Sequence, residues 1–307
     1  MPKKLNIGGQ AVIEGVMIRG PKYNVVAVRK GKKIITKKEK LKLRKGKFYK
    51  LHVVRGFFNL IDMLVIGFRS IMWSAEQQLE AEKEEKISKK EIAFTIILAV
   101  LFGVGIFIIL PYIVTNLIGF YEETNSLLFN LIDGLIRIVM FLLYIYGISL
   151  MKDVRILFQY HGAEHKAVHC YENNEKLEIK NMKKYSTLHA RCGTAFLMFV
   201  LVIAILTFSI ITPIILMIFP QLLNLNAILR KIILILIRLS LLPLIAGISY
   251  EFLKFSAKYE KNKIMRLFVW PGLLMQKITT KKPNNKQIEV AIVAVKNILQ
   301  LEKGKGI

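Results

Sequence analysis

Four stretches of almost unbroken apolar residues dominate the chain, at 93–119, 127–150, 194–219 and 229–250. A helix that crosses a bilayer needs roughly 20 such residues, and each stretch is too long for a buried strand. The pattern predicts four transmembrane helices. Pro111, Pro213 and Pro243 fall inside three of them and predict kinks, which membrane helices tolerate where neighbours re-satisfy the freed carbonyls. A fifth apolar stretch, 56–73, is interrupted by Asn59, Asp62 and Arg69. These recur at helical spacing on one face, which predicts an amphipathic helix lying in the interface or packed on the bundle, with a re-entrant or spanning helix as the alternative. Residues 76–91 alternate in charge and predict a solvated helix leading into the first span.

Outside the apolar runs the periodicity changes. Residues 25–28 and 33–36 are short β-prone runs separated by Arg29, Gly31 and Lys32, as in a small surface hairpin. Pro283-Asn284-Asn285 is a helix-start signal, after which Ile288, Ile292, Val295 and Leu299 form one stripe of a last helix. The chain divides into a glycine-rich hairpin module (1–50), an amphipathic interfacial helix with a charged linker helix (51–92), a four-helix region (93–250) that encloses a His/Cys loop (151–193), and a basic tail (251–307). The fold class expected is an all-α polytopic membrane protein, with about four transmembrane helices and a small mixed α/β cytoplasmic cap.

Composition agrees: the 307 residues are 54% hydrophobic with a mean hydropathy of +0.44, too apolar for an ordinary soluble domain. Charge adds orientation. The formal net charge is +25, and the Lys and Arg residues crowd the segments before 93, within 152–191 and within 251–305. Segment 121–126 instead carries Glu122 and Glu123, and segment 220–228 carries no charge. The positive-inside bias places both termini and the central loop on the cytoplasmic side, against anionic lipids. Arg230 and Lys231 run against the bias at the outer end of the fourth span, where long stems can snorkel. No aromatic-studded basic groove, zinc finger or helix-turn-helix accompanies the charge, so nucleic acid is an unlikely partner. No apolar core follows Lys3 and Lys4, so a cleavable signal peptide is not expected. Cys170 and Cys192 form no framework and read as free thiols or ligands in a reducing compartment.

Four of the five histidines lie between Tyr160 and His189. His161, Glu164 and His165 make H-x-x-E-H, the order of inverzincin metal sites; on a helix the two histidines fall one turn apart and can reach one ion. Glu164 would then act as general base, the role of a metallohydrolase carboxylate. His169 extends the same face by a turn, and His189 with Cys192 supplies a second pair of ligands. Ordinary hydrogen-bonded histidines on a cytoplasmic helix are the alternative, and Gly162 argues mildly for a loop or helix start. Gly8, Gly9, Gly15 and Gly20 surround Glu14 and Arg19 in an opening motif that lacks the context of a phosphate loop. It reads as a tightly turned hairpin, or as a device that brings Glu14 or Arg19 to substrate. Glu251, just past the fourth span, could join the cap as ligand or acid. Asp133, Arg137 and Arg238 lie inside predicted spans, where a helix-joining pairing is expected in preference to an ion path.

Several blocks together resemble the YqhQ-like family of bacterial membrane proteins: residues 8–21 (GGQAVIEGVMIRGP), 160–166 (YHGAEHK), 191–194 (RCGT) and 247–251 (GISYE), with Pro271-Gly272, Gln276 and Thr279-Thr280 in the tail. The likeness runs from about residue 6 to 300, and the family carries only the label of a predicted metal-dependent enzyme. The resemblance and the residues together imply a membrane-bound hydrolase that binds a divalent metal, zinc by preference, through His161, His165, His189 and Cys192. Its substrate would be lipid-linked or a membrane protein. A non-catalytic scaffold or assembly factor, with a structural metal or a hydrogen-bonded His/Cys site, is the rival reading. The charge pattern generates one direct test: a reporter fused after Ser126 should read as outside the cell, and a cytoplasmic reading would overturn the four-span topology.

Overall fold

In the computed structural model, residues 5–42, 44, 46–82, 88–122, 124–259 and 262–304 are described; Glu123, residues 83–87 of the charged linker and Lys305 lie outside them. The chain opens on four antiparallel strands in the order β1 (Gly8–Val12), β2 (Gly15–Arg19), β3 (Tyr23–Lys30) and β4 (Lys33–Lys40). This is a meander, larger than the predicted hairpin. Glu14 sits at φ +50 in the two-residue β1–β2 turn, and a Cβ at Gly15 would stand 2.3 Å from the Ala27 carbonyl oxygen, so the strands can approach there only without a side chain.

The period of two divides the sheet into two buried faces. Val16, Ile18, Val25 and Ala27 pack against α5 (Lys152–Glu172) and α10 (Asn285–Glu302). Val12, Met17, Val26 and Val28 pack against Ile66 and Trp73 of α1 (Val54–Glu82). The cap is therefore a three-layer arrangement of helix, sheet and helix pair. The last helix starts where predicted, with Asn284 and Gln287 forming a reciprocal capping box.

The remaining helices are α2 (Lys89–Val104), α3 (Leu110–Leu117), α4 (Ser126–Ser149), α6 (Ile179–Lys183), α7 (Gly193–Ile218), α8 (Ala227–Lys258) and α9 (Lys263–Thr279). A single π turn, Gly105–Ile109, joins α2 to α3 just before Pro111. Five helices among the described residues are long and apolar enough to cross a membrane, one more than the sequence predicted. The extra one is α1, where a polar stripe at 59, 62 and 69 masks a continuous 29-residue helix. Its start packs on α8, where a Cβ at Gly56 would meet the Tyr250 Cβ at 2.8 Å. Its second half lies on the sheet: the Ser74 hydroxyl accepts from the Ile13 amide at 3.1 Å, and Gln78 donates to the Arg29 carbonyl at 2.9 Å.

Asp133, Arg137, Lys231 and Arg238, inside the apolar spans, each have a polar partner. Arg137 Nε donates to Asp133 at 2.7 Å, and Arg137 Nη1 donates at 3.1 Å to the Phe107 carbonyl, to which Pro111, four residues on, brings no N–H. Arg238 donates instead to Glu122, Asn130 and Thr212 at 3.0–3.2 Å. The Lys231 ammonium donates to the Tyr112 hydroxyl at 2.5 Å. Removing one partner of a buried pair strands the other charge, at a cost of about 3–5 kcal/mol. Asp133→Ala should therefore lower the thermal stability of the detergent-solubilised protein, and adding Arg137→Leu should restore part of the loss. Adding Arg238→Leu should not, and a rescue by that substitution instead would overturn the pairing.

Candidate metal centre

The four-residue spacing of His161, His165 and His169 becomes one face of α5, which is helical without interruption through Gly162. Gly162 is there for space: a Cβ would stand 2.2 Å from the Lys281 carbonyl oxygen and 3.1 Å from Thr187 Cγ2. Two chain segments thereby press onto the helix, one leading into α7 and one leaving α9. Their carbonyls fix the histidines. His161 Nδ1 lies 2.9 Å from the Thr279 carbonyl oxygen, and His165 Nδ1 bonds the Thr187 carbonyl. A carbonyl only accepts, so both Nδ1 atoms carry the proton and both Nε2 atoms are left as the ligating nitrogens.

Those nitrogens converge on sulfur. Cys192 Sγ lies 3.2 Å from His161 Nε2, and the ligand atoms of His161, His165 and Cys192 all lie within 4.8 Å of one another. All three residues are buried. Cys192 is also the N-cap of α7, its sulfur accepting from the Thr194 amide at 3.4 Å and meeting the Thr194 hydroxyl at 3.0 Å. Burial pushes the His161 imidazole down, but the Cys192 thiolate, its hydrogen bond and Glu164 outweigh it and raise His161 to about 9. Burial likewise raises the Cys192 thiol, and His161 and His165 overturn that effect and hold it well below its ordinary value. Without an ion these two shifts favour a proton on His161 and a thiolate at Cys192, and an ion held by Nε2 and Sγ would take that proton's place. Glu164 is buried beside them, its Oε2 3.4 Å from His165 Nε2.

His189 falls elsewhere than the sequence placed it. With His169 and Glu172 it forms a second group, ligand atoms again within 4.8 Å, and its ring is 5.7 Å from that of His165. The Arg191 amide donates to His189 Nδ1 at 3.2 Å, so Nε2 carries the proton and donates to Glu172, also at 3.2 Å. That ring is committed on both nitrogens, which suits it to a hydrogen-bonded support better than to ligation. Gln276 clamps the same residue from α9, accepting from the His189 amide at 2.8 Å and donating to its carbonyl at 3.0 Å. Glu172 and the carbonyls of Thr187 and Thr279 were not singled out in the sequence. The spacing of His169 and Glu172, three residues apart on one helix, is the signal that could have exposed the first; nothing in a sequence marks a backbone carbonyl.

The remaining candidates stand back from the His/Cys group. Glu14 accepts from the Tyr160 hydroxyl at 3.0 Å and so reaches α5 from the sheet side, one residue before His161. Arg19 is half-buried; burial lowers its pKa and Asp62 and Tyr250 oppose the change. Glu251 pairs with Arg55 at 2.6 Å.

A bundle of bilayer-length helices, with a buried His/His/Cys group at the point where its cap meets α7, defines a multi-pass membrane protein with a candidate metal centre. The chain belongs to the family described as "Protein of unknown function (DUF1385)", whose model matches residues 51–301. It is 31% identical over 313 residues to "Uncharacterized protein YqhQ" of Bacillus subtilis (strain 168), covering 96% of this chain and 92% of that protein. No solved structure matches the chain.

The close approach at Gly162 can be tested. Gly162→Ala should push residue 281 outward and loosen the Thr279 bond to His161. The expected result is a lower melting temperature and faster alkylation of Cys192, read from its own peptide by mass spectrometry. Gly147→Ala on α4, whose Cβ would meet nothing within 4 Å, should leave the alkylation rate unchanged.

Proposed function

We propose that this protein is a metal-dependent enzyme of the hydrolase kind, embedded in the bacterial inner membrane and acting on a lipid-linked or membrane-protein substrate at the cytoplasmic face. One observation carries the reading: two imidazoles, each oriented by a backbone carbonyl on Nδ1, aim Nε2 at a buried thiolate. Carbonyl-anchored histidines of this kind are the usual support of metal ligands. Two borderline nitrogens and one soft sulfur suit zinc, and three protein ligands leave a coordination position open, as in catalytic sites and unlike closed structural ones.

A divalent ion held by His161, His165 and Cys192 would supply Lewis acidity to water or to a polarised substrate group. The chain's own residues do the rest. Glu164, beside His165, is placed to take a proton and return it to the leaving group. Burial excludes bulk water and strengthens every charge in the site. His189, held by Gln276 and Glu172, braces the segment that carries Thr187 and Cys192.

A second reading rests on Cys192 itself. A thiolate paired with an imidazolium at the first turn of a long helix is the arrangement of a cysteine nucleophile. Metal content separates the two. Protein purified without chelator should hold about one zinc per chain, lost in His161→Ala, His165→Ala and Cys192→Ser but kept in Glu164→Gln, where any hydrolysis should disappear. Protons compete for Nε2 and Sγ, so occupancy should fall as the pH is lowered through the imidazole range. Metal-free protein in which Cys192 alkylates as fast as in His161→Ala would overturn the metal reading and leave a thiol enzyme or a non-catalytic scaffold.

A further inference from the structure

A concave pocket of about 730 Å³ opens between the middle of α5, the end of α6 and the start of α10. That volume falls in the range of small-molecule sites. It is lined by Lys166, Lys183, Lys282 and Lys286, together with Pro283, Asn284, Asn285 and Ile288, with no acidic residue among them. Lys166 is the informative member. It is 7% exposed on α5, immediately after His165, and donates to the Lys183 carbonyl at 3.2 Å and to the Tyr185 carbonyl. An ammonium has three protons to donate, so two neutral carbonyls leave its charge uncompensated. The lining residues bring four lysines and no acidic residue to one concavity, so an anion entering it would meet positive charge that no lining side chain compensates.

We propose that this pocket binds a phosphate-bearing group, a phosphomonoester or a diphosphate. A single carboxylate would neutralise one lysine, whereas a phosphomonoester brings about −1.5 to −2 charges and three acceptor oxygens. Lysine suits phosphate as a mobile point charge. The first turn of the 18-residue helix α10 adds its positive end, since Asn285 and Lys286 both line the wall. The pocket backs onto the candidate metal centre through shared chain: residues 183–187 supply Lys183 to one side and the Thr187 carbonyl to the other, and residues 279–282 supply Lys282 and the Thr279 carbonyl. The inference does not require an ion at His161.

The probes are inorganic pyrophosphate and a short-chain phosphatidate, titrated calorimetrically into the full-length protein in neutral detergent at low salt. Pyrophosphate alone binding would identify a soluble phosphate compound; phosphatidate binding more tightly would identify a lipid headgroup, and either result supports the site. The combined substitution Lys183→Gln, Lys282→Gln and Lys286→Gln, all at exposed positions, should weaken binding at least tenfold. The same number of changes on β4, Lys33→Gln, Lys38→Gln and Lys40→Gln, should leave it within about twofold. His161→Ala should bind as wild type does. The proposal is overturned if neither probe binds, or if the two triple variants lose affinity alike, which would make the effect one of diffuse charge. It also fails if binding survives the pocket substitutions and disappears in His161→Ala, which would assign it to the His/Cys group.

Discussion

Carbonyl groups on the two segments that cross α5 face away from water, and a buried carbonyl without a donor costs about as much as a lost hydrogen bond. The donors here are imidazoles: His161 for Thr279, His165 for Thr187 and His169 for Leu188. This one requirement ties three histidines of a helix to two distant parts of the chain. It sets each tautomer, and it keeps the ligating nitrogens pointed at Cys192. Gly162 makes it possible, because any side chain there would hold the residue 281 backbone away.

The same constraint organises the cap. The sheet presses α5 from the opposite side through Val16, Ile18, Val25 and Ala27, and α10 closes the cluster. The 183–192 and 279–283 segments meet α5 on its histidine face. Small residues serve this packing: Ala163 and Ala167 are fully buried on α5, and Gly272 of α9 approaches Ala195 of α7 closely enough that an added Cβ would stand 2.7 Å from the Ala195 side chain. Cap and spans are therefore joined by direct side-chain packing as well as by the chain itself.

Much of this was written in the sequence in a readable form. Apolar runs of bilayer length marked α2 to α4, α7 and α8, since length and composition alone distinguish them. The stripe of Ile288, Val295 and their neighbours marked α10. His161, His165 and Cys192 were legible through residue type and a four-residue period. What escaped was long-range. The polar positions on α1 concealed its full length, since Asn59 meets Tyr250 of α8 and Asp62 meets Arg44, and sequence periodicity does not say what a face will meet. His189 looked like a ligand by type, yet its two nitrogens are taken by Arg191 and Glu172, a matter of local backbone geometry. The basic pocket draws its lysines from three separate segments and leaves no mark in any one of them.

Cys192 stands at the hinge between two media. It is the N-cap of α7, a helix of 26 residues and so about 39 Å long. A helix of that length pivoting at its middle moves its end by about 1 Å for a tilt of roughly 3°, while functional constellations tolerate about 0.5 Å. Helices tilt to match the thickness of the surrounding hydrocarbon. The sulfur is thus the tip of a lever whose other arm lies in lipid, and the composition of the bilayer becomes a mechanical input to the geometry of the His/Cys group.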